Sequence, residues 1–175
     1  MENLRFKIMM KEEHSIEIHQ IKDEEIIDRN NLHIYEEEEN TERIILKIEV
    51  DDYFTIYYHY NVYSTGLQDF TVYINENVIF LGGKTQSCTV DMLTNTIGNE
   101  FKHCLFWDFS ELEDGLILEY GELDCLLRNN LGEIIETTYV EPPYDVFYEE
   151  DQIRFEFESI IEGGRTYLKL PTNKQ

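Results

Sequence analysis

Apolar and polar residues alternate along almost the whole chain. The alternation is regular in residues 15–21 and in the aromatic-rich residues 53–63, and shorter runs occur at 5–8, 32–35 and 44–50. A period of two residues is typical of strands that bury one face. We therefore predict strands in all five segments, a first hairpin from residues 5–8 and 15–21, and a tight turn at Asp51-Asp52. Only residues 22–31 are a candidate helix.

A second pattern recurs every 37 residues. The segment FTVYINENVIFLGG begins at Phe70, WDFSELEDGLILEYG begins at Trp107, and YDVFYEEDQIRFEF begins at Tyr144. Each copy predicts an aromatic-led strand, an acidic turn and an apolar strand. A fixed period in this range indicates one supersecondary unit used several times. We expect Ile79, Leu116 and Ile153 to occupy equivalent core positions in the three copies.

These patterns predict an all-β fold class, with antiparallel sheets built from repeated β-hairpin units in an incomplete propeller-like array or a sandwich. We expect a single domain over residues 1–175, with N-terminal strands in 1–66 and repeat units at 70–106, 107–143 and 144–170. The third copy is shortened. The composition agrees, because alanine is absent while Ile, Tyr, Phe, Val and Thr are plentiful.

Two segments of the repeats resemble the blades of quinoprotein-type and WD-like β-propellers. They are NVIFLGGKTQSCTVDMLTNTIG and GLILEYGELDCLLRNNLGEII, in which a strand with a small-residue end, a second strand, a polar turn and an Ile-led strand recur. The resemblance is clear over residues 70–140, partial over 144–170 and faint over 33–50, and it implies a fold without implying a function. Closed propellers have about 4–8 blades. Because 175 residues hold fewer than five such units, we expect an incomplete array, either a half-propeller or a sandwich, that the first 65 residues close.

The charge is strongly one-sided, with 14 basic and 37 acidic residues and a net charge of -23. Such a chain repels nucleic acid and anionic membranes and meets basic proteins quickly. Solubility alone is the alternative interpretation of the charge. The candidate partner-binding residues are the acids crowded at two turns and two tyrosines on one face of residues 53–63: Glu36, Glu37, Glu38, Glu39, Tyr57, Tyr63, Glu149, Glu150 and Asp151. For the tyrosines, a packed second core layer and a sugar platform remain alternatives.

No motif for catalysis is present. His14 and His19 are five residues apart, which suits neither a strand nor a helix face, and no Cys or His near them has zinc-ligand spacing. Cys88, Cys104 and Cys125 are an odd number without a CxxC motif, which indicates reduced thiols in the cytoplasm. We expect no enzyme activity, no cofactor and no metal.

Three functions remain open. In size, charge and lack of a catalytic motif, the chain resembles acidic all-β immunity proteins that neutralise bacterial toxins, and a nuclease-type toxin would offer the basic partner. The second hypothesis is a DNA-mimic inhibitor of the anti-restriction or anti-CRISPR type. The third is a propeller-like scaffolding module. An immunity protein would combine acids with apolar anchors, a DNA mimic would carry one long carboxylate stripe, and a scaffold would disperse its charge. None of the three binds nucleic acid or membranes directly.

Overall fold

The computed structural model describes residues 4–11, 13–26, 30–36, 42–62, 68–158 and 164–171. These residues form strands almost throughout. The strands are β1 (Leu4–Met10), β2 (Ile16–Ile21), β3 (Leu32–Tyr35), β4 (Glu42–Val50), β5 (Phe54–Val62), β6 (Gln68–Asn75), β7 (Val78–Gly82), β8 (Gln86–Asp91), β9 (Thr96–Lys102), β10 (Phe106–Glu111), β11 (Ile117–Gly121), β12 (Asp124–Arg128), β13 (Ile134–Tyr139), β14 (Tyr144–Tyr148), β15 (Gln152–Phe157) and β16 (Gly164–Lys169). The chain divides into two compact units, Met1–Lys102 and His103–Gln175.

The first unit contains two sheets. Sheet A has the strand order β1-β6-β7-β8-β9, and sheet B has the order β2-β4-β5-β3. Strands β6 to β9 form an antiparallel meander, whereas β1 joins β6 and β3 joins β5 in parallel. The predicted first hairpin is therefore wrong, because β1 and β2 pair in different sheets. Alternation shows which face of a strand is buried but does not show which strand it pairs with.

The candidate helix at residues 22–31 is reduced to one turn of 3₁₀ helix at Asp23–Glu25. Residues 27–29 lie outside the described part of the chain. The turn begins after Lys22, whose backbone N–H donates to the Glu25 carboxylate at 2.7 Å. The tight turn predicted between β4 and β5 is confirmed, with Asp51 and Asp52 at φ 52° and 58°.

The core of the first unit contains alternate residues of β4 and β5 together with alternate residues of β6, β7 and β8. One face of β5 belongs to this core, since Ile56, Tyr58 and Tyr60 are fully buried. The ring of Tyr58 meets that of Phe70 edge-to-face, with centroids 4.8 Å apart. Edge-to-face pairs of this kind add to the stabilisation that area burial provides.

The second unit contains sheet C (β10-β11-β12-β13) and sheet D (β14-β15-β16). Both sheets are antiparallel meanders in sequence order. Their shared core includes Leu118, Cys125, Leu127, Val140, Ile153, Phe155 and Leu168. The all-β class built from repeated hairpin units is confirmed, and the third copy has three strands where the first two have four. Cys88 and Cys125 are free thiols buried in the cores of the first and second units.

The repeat is regular except for one extra residue. Ile79 and Ile153 are fully buried, as predicted. In the second copy the turn is one residue longer and contains Gly115 at φ 73°. Ile117 rather than Leu116 therefore enters the strand and is fully buried, while Leu116 packs half-buried against the core. The prediction for Leu116 was wrong by one position, because sequence spacing did not reveal the longer turn.

Candidate partner-binding surface

Glu36, which was predicted to lie at a binding surface, is fully buried at the end of β3. One carboxylate oxygen accepts the backbone N–H of Lys84 at 2.7 Å and the hydroxyl of Tyr58 at 3.3 Å, and the other accepts the N–H of Asn61 at 2.9 Å. Burial raises the pKa of Glu36, and these hydrogen bonds oppose the rise by stabilising the charged form. Glu36 thus joins β3 and β5 to the β7–β8 loop within the core and is withdrawn from the candidate surface.

Gly83 makes this buried carboxylate possible. A Cβ atom at residue 83 would lie 2.0 Å from an oxygen of Glu36 and 2.3 Å from the hydroxyl of Tyr58. The β7–β8 loop therefore approaches Glu36 as bare backbone, which only glycine allows. The segment Gly82-Gly83-Lys84 thus holds a carboxylate of the same chain.

The prediction that Tyr57 lies at a binding surface is also wrong, since only 1% of this residue is exposed. It lies on the face of β5 opposite the core, where its ring stacks on His33 with centroids 5.0 Å apart. His33 Nδ1 lies 3.1 Å from His59 Nε2. Burial is the main cause that lowers the pKa of His59 to about 4, and the nearby His33 imidazole lowers it further. The packed second layer is therefore the interpretation that holds for Tyr57. Tyr63, Glu37, Glu38 and Glu39 lie outside the described residues.

The remaining predicted acids form the exposed turn between β14 and β15. Glu149, Glu150 and Asp151 are all exposed there. The carboxylate of Glu149 accepts hydrogen bonds from Arg154 Nε and from Gln152 Nε2, both at 2.6 Å. These two contacts hold the pKa of Glu149 below its ordinary value. In the described part of the chain, this turn is therefore the predicted acidic cluster that is exposed to a partner.

Exposed aromatic rings lie beside this turn. Phe147 is 38% exposed and Tyr167 is 41% exposed, and both stand opposite Arg154 in the register of sheet D. The Arg154 guanidinium lies 4.2 Å from the centroid of the Phe147 ring. We call Phe147, Arg154, Tyr167 and the turn residues 149–151 the outer face of sheet D, since the alternate residues Phe155 and Leu168 lie in the core.

A second row of charges continues this face. Asp145, Glu156 and Arg165 are opposed across the three strands. Glu156 accepts hydrogen bonds from Arg165 Nε at 2.7 Å and from Arg154. A cavity of about 670 Å³ opens beside the row, and the charged groups along it are Asp145, Glu156, Glu158 and Arg165. Three carboxylates against one guanidinium suit a basic side chain.

A buried charge cluster in the second unit is the other candidate site. Glu119 lies between His103 Nε2 and Arg128 Nε, the latter at 2.6 Å, and His103 Nδ1 contacts Asp124. Burial alone would lower the pKa of His103 and raise that of Glu119, but these contacts outweigh it and shift both pKa values in the opposite directions. Glu119 and Arg128 are fully buried. We therefore interpret the cluster as structural.

Comparisons with known proteins give no family. No protein-family model matches the chain, and no curated protein matches it. A crystal structure of a protein from Lactobacillus plantarum is 12% identical, with a TM-score of 0.37, over 83% of this chain and 58% of that one. Hsv2 from Kluyvelomyces marxianus is 9% identical, with a TM-score of 0.36, over 70% of this chain and 46% of that one. The chain thus spans less than two thirds of either structure.

In the described part of the chain, no helix has the length and apolar character needed to cross a membrane.

Proposed function

We propose that this chain is a non-enzymatic acidic protein that binds and neutralises a basic partner in the cytoplasm. Most concretely, it is an immunity protein against a nuclease-type bacterial toxin. The observation that carries the proposal is the outer face of sheet D, where the exposed acidic turn 149–151 lies beside the exposed rings of Phe147 and Tyr167.

Charge and aromatic contact have different roles in such a complex. A nuclease exposes a basic cleft because it binds phosphates, and a net charge of -23 attracts that cleft over a distance. Charged groups set the association rate and the orientation of encounter more than they set the affinity. Buried aromatic and arginine anchors supply most of the affinity in protein interfaces. Phe147, Arg154 and Tyr167 are residues of that kind.

This mixture favours an immunity protein over a DNA mimic. A DNA mimic needs carboxylates in a continuous stripe that imitates phosphates. On the outer face of sheet D the acids are interrupted by two rings and by Arg154 and Arg165, and Glu36 and Glu119 are buried elsewhere. A scaffolding module would disperse its charge, whereas three exposed acids are crowded at the turn beside Phe147.

Affinity capture from the native host tests the proposal. We expect the wild-type chain to retain a basic protein that the variant Glu149→Gln/Glu150→Gln/Asp151→Asn retains poorly. The matched control removes three exposed charges at the end of β10 and in the following turn of the second repeat, Glu111→Gln/Glu113→Gln/Asp114→Asn, and should capture like the wild type. Capture of the same protein by both variants, or of no basic protein by the wild type, would contradict the proposal.

A further inference from the structure

Three potential metal ligands meet on the exposed face of sheet B. The strands of this sheet come from the first unit, whereas sheet D belongs to the second. Glu17 and His19 are two residues apart on β2, so their side chains point to the same face. The alternate residues Ile16 and Ile18 pack against the core. In the part of the chain that the structure describes, β2 is an edge strand of sheet B. An ion in solution therefore reaches this face directly.

The third ligand comes from the neighbouring strand. Glu49 on β4 stands directly opposite Glu17 in the antiparallel register. Like charges in that position repel each other and destabilise the strand pair. His19 Nε2 lies 3.0 Å from Glu17 Oε2, and one ligand atom from each of the three residues lies within 4.8 Å of the others. A cation between them would convert the repulsion into attraction.

We propose that Glu17, His19 and Glu49 form a binding site for a divalent transition-metal ion, with zinc as the leading candidate. Zinc takes imidazole nitrogen at about 2.0–2.1 Å and carboxylate oxygen at about 2.0–2.2 Å. The three side chains are at least partly exposed and can rotate to these distances. Lys47 Nζ contacts Glu49 Oε1 at 2.6 Å, so the ion binds the other oxygen or displaces the ammonium group.

The donor set decides the class of ion. Calcium takes six to eight oxygen ligands and magnesium an octahedral oxygen shell, neither of which includes an imidazole. Imidazole combined with carboxylate suits zinc, copper and nickel. Three protein ligands leave a fourth position on zinc open to water or to a side chain of another molecule. The sequence carries no signal for a ligand role of His19, because Glu49 lies on a different strand.

Calorimetric titration of the chelator-treated full chain with zinc alone tests the site. We expect one saturable site whose affinity falls at least tenfold in His19→Gln and in Glu17→Gln, since even the loss of outer contacts to a metal ligand costs about 10–100-fold. Two controls should bind like the wild type. Glu113→Gln removes an exposed carboxylate of the second unit, and Cys104→Ser removes the exposed thiol, which could bind zinc by itself.

Three results would overturn the proposal. They are the absence of saturable binding, unchanged affinity in His19→Gln, and loss of binding in Cys104→Ser. Because both β2 ligands are exposed, the variants should fold normally. Unchanged far-ultraviolet circular dichroism confirms that any lost affinity belongs to the site.

Discussion

Replacement of Arg128 by Met should destabilise the chain by about 3–5 kcal/mol, because it leaves the Glu119 carboxylate buried without its guanidinium partner. Urea denaturation measures the loss. The control is Arg165→Met, which removes an ion pair with Glu156 whose arginine side chain is 64% exposed. Exposed pairs contribute about 0–1 kcal/mol. Equal losses in the two variants would show that removing Arg128 does not leave Glu119 as an uncompensated buried charge.

The same cluster should make stability depend on pH. The pKa of His103 is raised above its ordinary value of 6.5, so its stabilising effect is complete below that value and is lost as pH rises through the folded-state pKa. The pKa of Glu119 is lowered below 4.5, so its effect is present above 4.5 and is lost as pH falls through the folded-state pKa. The cluster therefore stabilises most between about pH 4.5 and 6.5. His103→Gln should lose less stability than the wild type on the alkaline side, and identical profiles would contradict this assignment.

Gly83→Ala should cost about 3–5 kcal/mol for a different reason. Its new Cβ would displace the Glu36 carboxylate from the N–H groups that it accepts, leaving a buried charge with fewer partners. Gly98→Ala is the matched control, since its Cβ would meet its nearest atom, Thr89 Oγ1, at an ordinary 3.8 Å. Thermal and urea unfolding compare the two. Equal stability of Gly83→Ala and Gly98→Ala would show that the loop can move away from Glu36.

Local patterns in the sequence predicted the strands well. The bounds of β3 agree with the predicted segment 32–35, and those of β5 differ from the predicted 53–63 by one residue at each end. Strand partners could not be predicted in the same way. The pairing of β1 with β6 joins segments more than sixty residues apart, as in the Arg5–Asp69 ion pair. No feature of the β1 sequence specifies that partner.

The candidate surface was predicted only where exposure followed from a turn. Glu149, Glu150 and Asp151 join two strands of one hairpin, so their exposure is a local property. Glu36 follows a strand as well, but the loop containing Gly83 folds over it from another part of the chain. The exposure of the Phe147 and Tyr167 rings was not predicted from the sequence. The shortened third repeat was the available signal, because it indicated that sheet D has fewer strands than the other sheets.

The association rate of the chain with its captured basic partner tests the central proposal most directly. Stopped-flow measurements would compare the wild type with Glu149→Gln/Glu150→Gln/Asp151→Asn at low and at physiological ionic strength. We predict that association slows in the variant and also with added salt, since exposed charges are screened beyond about 8 Å at physiological ionic strength. An association rate that neither the three substitutions nor salt changes would contradict the proposal and leave the acidic surface a role in solubility alone.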